Sequence, residues 1–356
     1  MSESNSKPKN LIKTKSKNQI SVTKPDYIQS EVSLKNYNTW KTGGLAEYFA
    51  MPESLEQYKD CISWAINQKL SINFLGQGSN ALISDQGLSG LVLCSKKFQN
   101  VDILSEDQNI FKLKCESGAL KFKVMRLFLK NNLSPALFLS GIPGDVGGGV
   151  VMNAGVGENS VPREFCEIVE SFKVLKWQQG TDGQLGENIV ADINKKINAE
   201  MDNDVDVKFT VQNFKHEDIV WSYRSSKNWQ PGFIFEVNLA TPMNPIEGMA
   251  EKVKAAINNR KLKQPWDKPS CGSVFVNPEN HRAGQLIEAT DLKGFQIGGA
   301  QVSYKHANFI VNTGQGTSQD IHRVIEHVKT KVFEKFKVSL HTEVVYLGPW
   351  DHMRKS

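Results

Sequence analysis

Residues 141–157 hold seven of the chain's 27 glycines, and no other feature limits the fold as much. Glycine loses more backbone freedom on folding than any other residue, so this density argues against a helix or an ordinary strand. It predicts a stretch where the backbone turns sharply or a ligand lies against bare peptide. The segment reads Ser140-Gly141-Ile142-Pro143-Gly144-Asp145-Val146-Gly147-Gly148-Gly149 and runs on into Met152-Asn153-Ala154-Gly155. Pro143 stiffens one turn, while Val146, Val150, Val151 and Met152 pull the segment inward. A wall for a large flat cofactor or a diphosphate fits this pattern better than a compact surface loop.

A second glycine cluster, Gly76-Gln77-Gly78-Ser79-Asn80, follows the apolar run Ile72-Asn73-Phe74-Leu75. Gly76-x-Gly78-x-x-Ala81 matches the letters of the dinucleotide-binding loop. That loop must open a helix whose N-terminus faces the pyrophosphate, yet Gly87 and Gly90 follow too soon. Ser95, Lys96 and Lys97 stand where an acidic ribose ligand belongs, so the ordinary Rossmann reading fails. What remains is a loop whose amides, with Ser79 and Asn80, suit phosphate oxygens. A tight turn explains the same residues equally well.

Periodicity places the rest. Leu55, Tyr58, Ile62, Ala65 and Ile66 predict a helix over residues 54–69, with Ser54 as N-cap. Residues 120–130 and 247–261 also read as helices. Ile321, Val324, Ile325, Val328 and Val332 form one stripe of a helix over residues 318–336, with Ser318 as its expected cap. Strands are expected at residues 72–75, 91–94, 111–115 and 208–211, and order near Asn38. Short strands and helices mix without strict βαβ alternation, which makes the class α+β.

The length of 356 residues fits two or three domains at roughly 150 residues each. Of the net charge of +5, all comes from residues 1–25, with six lysines and only Glu3 acidic. The body is neutral and carries no footprint for nucleic acid. Residues 1–29 read as a disordered basic tail, and residues 178–206 as an acidic, loop-rich insertion. No apolar stretch suggests a secretory leader or a bilayer span. Five scattered cysteines without CxxC spacing argue against a disulfide framework or a zinc site and for reduced, cytoplasmic thiols.

Three further segments could carry chemistry. Cys271-Gly272-Ser273 lacks the second cysteine and the aromatic residue of a papain-like site, whereas Ser273 sits in a turn from which a hydroxyl could project. Tyr223-Arg224-Ser225-Ser226 and His341-Thr342-Glu343-Val344-Val345 each set an ionisable residue among small or apolar ones. A buried Arg or Glu needs a partner, so a structural ion pair and a functional site both stay open here.

Taken together, eight segments carry a resemblance. Asn38-Thr39-Trp40-Lys41-Thr42-Gly43-Gly44, Gly76–Asn80, Ser140–Gly155, Tyr223–Ser226, Lys263-Gln264-Pro265, Gly272–Pro278, Gly298-Gly299-Ala300 and Glu343-Val344 occur in one order over about residues 36–348. That order resembles the UDP-N-acetylenolpyruvoylglucosamine reductase family, flavoproteins of peptidoglycan precursor synthesis. The resemblance implies non-covalent FAD in a fold of the vanillyl-alcohol-oxidase type, two FAD-binding subdomains and a smaller α+β substrate domain. Residues 30–96, completed by 343–356, would form the first subdomain, 97–243 the second and 244–342 the substrate domain. NADPH would reduce the flavin, and UDP-N-acetylglucosamine enolpyruvate would become UDP-N-acetylmuramate. Arg224, Ser273 and Glu343 would be catalytic. Gly76, Gly78, Ser79, Asn80, Ser140, Gly141, Pro143, Gly144, Gly147, Asn153 and Gly155 would line the cofactor. Tyr223, Lys263, Asn277, Lys305 and His306 would meet substrate, with no metal and a monomeric protein.

Two departures stand out, because Val276 occupies a position where the family usually has Lys and Val345 one where it has Arg. The short stretch between Ser226 and Phe233 places the chain in the branch without the extra tyrosine-bearing loop. Two alternatives are an FAD-dependent oxidase or dehydrogenase on the same cofactor fold, and a nucleotide-sugar-binding protein that has lost its flavin.

Overall fold

A computed structural model describes residues 23–106, 109–158, 161–179 and 206–350. The tail up to residue 22 and nearly all of the 178–206 stretch lie outside the described residues. The first elements are β1 (Gln29–Ser33), β2 (Leu45–Ala50), α1 (Leu55–Asn67), β3 (Ile72–Leu75), β4 (Ala81–Ile83) and β5 (Leu88–Cys94). Their sheet runs β1-β2-β5-β3, with β2, β5 and β3 parallel and β1 antiparallel at the edge. Order therefore begins before Asn38. Strand β1 pairs from Gln29↔Phe49 to Ser33↔Leu45, and Ile28 beside it is buried. An edge strand that is mostly exposed carries no apolar run to reveal it. Ser54 caps α1 as expected, accepting from Gln57 N at 3.3 Å.

The chain continues through β6 (Val101–Glu106), β7 (Ile110–Glu116), α2 (Lys121–Lys130), α3 (Pro135–Leu139), α4 (Val146–Val151), β8 (Gly155–Glu158) and β9 (Val161–Glu164). Then come β10 (Val169–Gln179), β11 (Val207–Lys215), β12 (Val220–Ser222), β13 (Ser225–Lys227) and β14 (Phe233–Pro242). An antiparallel sheet β11-β10-β14-β7-β6 buries Phe111, Phe172 and Val237 against Phe128, Phe138 and Val150.

The glycine-rich stretch is the main correction. Gly147, Gly148 and Gly149 lie inside helix α4, and Gly155 and Gly157 in strand β8. Close packing outweighs the penalty of about 0.5–1 kcal/mol per glycine. A Cβ at Gly147 would come within 2.8 Å of Ser117 Cβ, and one at Gly149 within 3.0 Å of the Phe165 ring. Asp145 secures the helix start, accepting from Gly148 N at 2.7 Å.

Helix α5 (Met249–Lys263) packs on α3 and sets Met249 and Val253 into the second sheet's core. A third layer holds α6 (Ala283–Glu288), β15 (Gln296–Ile297), β16 (Ala300–Val302), β17 (Ile310–Asn312) and α7 (Ser318–Phe336), followed by β18 (Val345–Leu347). The predicted stripe of α7 is wholly buried. Its cap, however, is Thr317 rather than Ser318. Thr317 has the extended backbone of a cap and accepts from Asp320 N at 3.0 Å. Ser318 is instead buried, and its hydroxyl donates to Thr42 Oγ1 at 2.8 Å.

The third layer is stitched to the first sheet. Trp40, fully buried in the third core, donates from Nε1 to Ile310 O at 2.8 Å, and Asn312 donates to Trp40 O at 2.9 Å. Asp85 receives Ser318 N and Gln319 N at the start of α7 at 3.0 and 2.8 Å, where the helix dipole favours an anion. Strand β18 returns to pair in parallel with β4, Val345↔Ala81 through Leu347↔Ile83. Among the described residues no helix is long and apolar enough to cross a membrane.

All five cysteines are free, and four are buried. Burial pushes the Cys61 and Cys115 thiols up to about 12 and Cys94 up to about 11, and raises Cys271 as well. The native state thus keeps thiol protons that an unfolded chain releases above its ordinary value of 9.0. Stability from this source is fully present below pH 9 and is lost above it. Each thiol contributes up to about 1.4 kcal/mol per pH unit. Thermal unfolding under reducing conditions should show a flat midpoint from pH 7 to 8.5 and a steep fall from pH 9 to 10.5. A midpoint that held level to pH 10.5 would remove this account.

Candidate active site

The two glycine loops meet, and Asp145 is where they join. Its Oδ1 caps α4 while its Oδ2 accepts from Gln77 N at 2.7 Å. Any side chain at Gly76 would run into this carboxylate. Gly78, at φ +64°, leaves no room either, because a Cβ would strike Tyr37 O. Gly144, at φ +94°, faces Ser79: a Cβ there would lie 2.6 Å from Ser79 Oγ and 3.5 Å from Lys121 Nζ. These contacts account for the loop glycines as positions where backbone, ligand or both approach closely.

Several residues expected to line this region are already engaged. Asn153, fully buried, donates to Glu164 Oε2 at 2.7 Å and Ser222 O at 3.2 Å and accepts from Cys166 N at 3.0 Å. Its side chain ties α4 to the segment before Arg224, so only its backbone is left for a ligand. Asn80 donates to Glu343 O at 3.0 Å, and its carbonyl accepts from Val345 N at 2.9 Å. Ser140 donates to Leu137 O at 2.6 Å and accepts from Arg260 at 3.3 Å. The Arg260 guanidinium lies directly over Gly141, Pro143 is exposed, and Gly147 packs on Ser117.

Beside this cradle stands an ion pair that joins residues 119 apart. Arg224 Nε donates to Glu343 Oε1, and Nη2 donates to Gly155 O at 3.0 Å. Both side chains are largely shielded, at 20% and 12% exposure. The Tyr223 hydroxyl donates to the other oxygen, Oε2, at 3.3 Å, and the Arg224 guanidinium lies 4.7 Å from the Tyr223 ring centre. Arg224 adopts φ +54° between β12 and β13, a strained conformation for a long side chain. The partner that a buried Arg and Glu each require is here the other.

Ser273 lies on a segment paired to this one. Glu343 N donates to Val274 O at 2.8 Å, and Phe275 bridges Thr342 in antiparallel fashion. Gly272, at φ +86°, faces open space, and Ser273 beside it is half-buried. Buried Asn308 holds this segment: its Oδ1 accepts from Phe275 N at 2.9 Å and its Nδ2 donates to Phe275 O at 2.8 Å. Nothing in the sequence singled it out. Asn308→Ala should lower stability by about 2–3 kcal/mol by leaving two buried backbone groups unpaired. A loss under 1 kcal/mol in denaturant unfolding would deny Asn308 this role.

The outer residues are more dispersed. Lys263 is exposed at the end of α5. Lys305 reaches the same end, donating to Lys261 O at 3.4 Å. Asn277 uses Oδ1 to accept from Ala283 N at 3.0 Å at the start of α6. His306 accepts from Asn308 N on Nδ1 at 3.3 Å, and burial with nearby Lys293 holds its pKa below the ordinary value. It is therefore a neutral donor through Nε2 rather than a cation. No group of three His, Cys, Asp or Glu among the described residues could hold a metal ion.

Against this geometry, residues 264–347 match the model for UDP-N-acetylenolpyruvoylglucosamine reductase, C-terminal domain. A protein of that name from Acaryochloris marina (strain MBIC 11017) is 36% identical over 90% of this chain and 93% of its own length. Another, from Synechococcus sp. (strain RCC307), is 34% identical over 90% and 94%. The chain belongs to the UDP-N-acetylenolpyruvoylglucosamine reductase family. A crystal structure of the reductase from Thermus caldophilus aligns at a TM-score of 0.66 with 26% identity, covering 90% of this chain and 100% of that one.

Within the reductase family frame, residues 46–182 also match an FAD binding domain, a span that contains both glycine loops. The α+β class with an FAD-binding domain thus stands. The residues fit that cofactor. Thr39 Oγ1 is buried without a hydrogen-bond partner, on a residue whose N–H donates to Gly78 O at 3.2 Å. Ser117 Oγ is equally orphaned, on a residue whose carbonyl accepts from Gly147 N at 2.7 Å. Each glycine loop therefore carries an unsatisfied buried hydroxyl beside it, the condition that a polar ligand would relieve.

Proposed function

We propose that the chain reduces the enolpyruvyl ether of UDP-N-acetylglucosamine to UDP-N-acetylmuramate in the cytoplasm, with NADPH as reductant. The observation that carries this reading is the Arg224–Glu343 pair beside the FAD cradle, tied through Val274 to the Ser273 segment. FAD, when bound non-covalently, supplies the hydride and is replenished by NADPH.

The protein's own work is electrostatic and acid–base. The enolpyruvyl group is a carbon–carbon double bond conjugated to a carboxylate. Hydride addition at its terminal carbon drives negative charge through C2 into that carboxylate. A fixed guanidinium is suited to such charge, because preorganised donors act most strongly where water is excluded. Arg224, with its orientation set by Glu343 and Gly155 O, fills this role, and Glu343 is a second group at the substrate carboxylate only when protonated, as a donor. Proton delivery to C2 falls to Ser273. An alcohol is a weak acid, but the enediolate carbon is strongly basic and contact removes the entropic barrier. Lys263 and Lys305, at one end of α5, are the cations for the substrate's diphosphate, with Tyr223, Asn277 and neutral His306 as hydrogen-bonding groups. They stand in where Val276 and Val345 bring no charge.

Purified protein should be yellow, release its flavin on denaturation, and oxidise NADPH only when UDP-N-acetylglucosamine enolpyruvate is present. NADPH consumption independent of that substrate, or a colourless protein that takes up no flavin, would overturn the proposal.

A further inference from the structure

The first buried position of α2 is a lysine. Lys121, Val124, Met125 and Phe128 form the buried stripe of that helix, and Lys121 is only 3% exposed. Its ammonium lies 5.9 Å from the Phe165 ring centre. Among the described residues it makes neither an ion pair within 4 Å nor a hydrogen bond. Asp145 is the nearest candidate, yet both its oxygens are occupied by the amides of Gly148 and Gln77 at 2.7 Å. Burial lowers the Lys121 ammonium to about 8, with Asp145 opposing that shift. An unpaired buried cation is expensive, and such groups are found paired or ligated.

The direction of Lys121 is set by its neighbours. A Cβ added at Gly144 would lie 3.5 Å from Lys121 Nζ and 2.6 Å from Ser79 Oγ. Lysine and serine thus face the same bare side of Gly144, one from helix α2 and one from the first glycine loop. Lys121 N donates to Gly144 O at 3.1 Å, which holds the helix start against that loop. An anion lodged between Gly78-Ser79 and Gly144 would meet a hydroxyl and a buried ammonium together.

We infer that Lys121 is a direct anion ligand for the diphosphate of the bound dinucleotide, completing a site whose other walls are the two glycine loops. This rests on the FAD reading above. The alternative is that Lys121 serves only to balance the charge of Asp145.

The test uses flavin-free full-length protein titrated with FAD and with riboflavin, which lacks the diphosphate, by fluorescence quenching. Lys121→Met should weaken FAD binding at least about tenfold and leave riboflavin affinity unchanged, while Lys121→Arg recovers part of the loss. Wild-type FAD affinity in Lys121→Met, or equal losses for FAD and riboflavin, would overturn the inference. Where the variants fail to fold, wild-type protein with 15N-labelled lysine decides: the Nζ resonance of Lys121, the buried lysine among the described residues, should move on adding FAD and stay put with riboflavin, and an unmoved resonance with FAD refutes the contact. Wild-type protein that binds neither flavin would instead remove the FAD reading itself.

Discussion

Ser273→Ala should leave reduction of the bound flavin by NADPH at the wild-type rate and slow its reoxidation by the enolpyruvyl substrate about 100- to 10,000-fold, the range typical of a lost general acid. The asymmetry follows from the chemistry, since only the second half-reaction needs a proton at C2. The variant should fold normally. Ser273 lies half-buried next to Gly272, which faces open space, so removing the hydroxyl strands no buried group. Rapid-reaction spectroscopy of the two half-reactions decides the matter. Equal slowing of both would mean that the hydroxyl shapes the cofactor site and does not deliver the proton.

The second large effect concerns Arg224. Arg224→Met should lower the substrate half-reaction by about 1,000-fold, the scale of losing a preorganised charge at a developing oxyanion. It should also destabilise the fold by about 3 kcal/mol, because Glu343, 12% exposed, is left without its partner. These two losses can be separated. Arg224→Met/Glu343→Gln removes the orphaned charge and should restore most of the stability while leaving the rate low. If the rate returned with the stability, the pair would be a structural strut and the transition state would be stabilised elsewhere. Arg224→Lys should restore charge but not the fork that reaches both Glu343 and Gly155 O, and so recover only part of the rate.

Much of the site was readable because its residue types are unusual where they stand. Glycines at Gly76, Gly78 and Gly144 announce positions where a Cβ has no space, and the structure shows what fills it. The stripe of α7 was legible because burial repeats at helical spacing. The same local reasoning failed for α4. Three consecutive glycines argue against a helix unless something crowds them, and here Ser117 presses on Gly147 and Phe165 on Gly149 from separate parts of the chain, while Gly148 faces the Asp145 carboxylate. Thr317 displaced Ser318 as a cap for a related reason: both are good caps, but Ser318 is drawn inward by Thr42. Lys121 was not singled out: in the sequence it is one more lysine at the start of an expected helix, and only the structure shows it buried in phase with Val124, Met125 and Phe128.

From the linear order of residues came the inventory: two glycine loops, an arginine, a carboxylate and a hydroxyl, the four longest helices and a minority of the strands among the described residues. Those properties are local, since propensity, periodicity and backbone freedom act over a few residues. The convergence of that inventory is a different kind of fact. Glu343 meets Arg224 across 119 positions and Asn80 across 263, and Trp40 seals the third core by bonding to Ile310 across 270. No spacing rule links such pairs, because their contact depends on how sheets stack and on where β18 returns to β4. Chain folding alone selects these partners, through the combined burial and hydrogen bonding of all the layers at once.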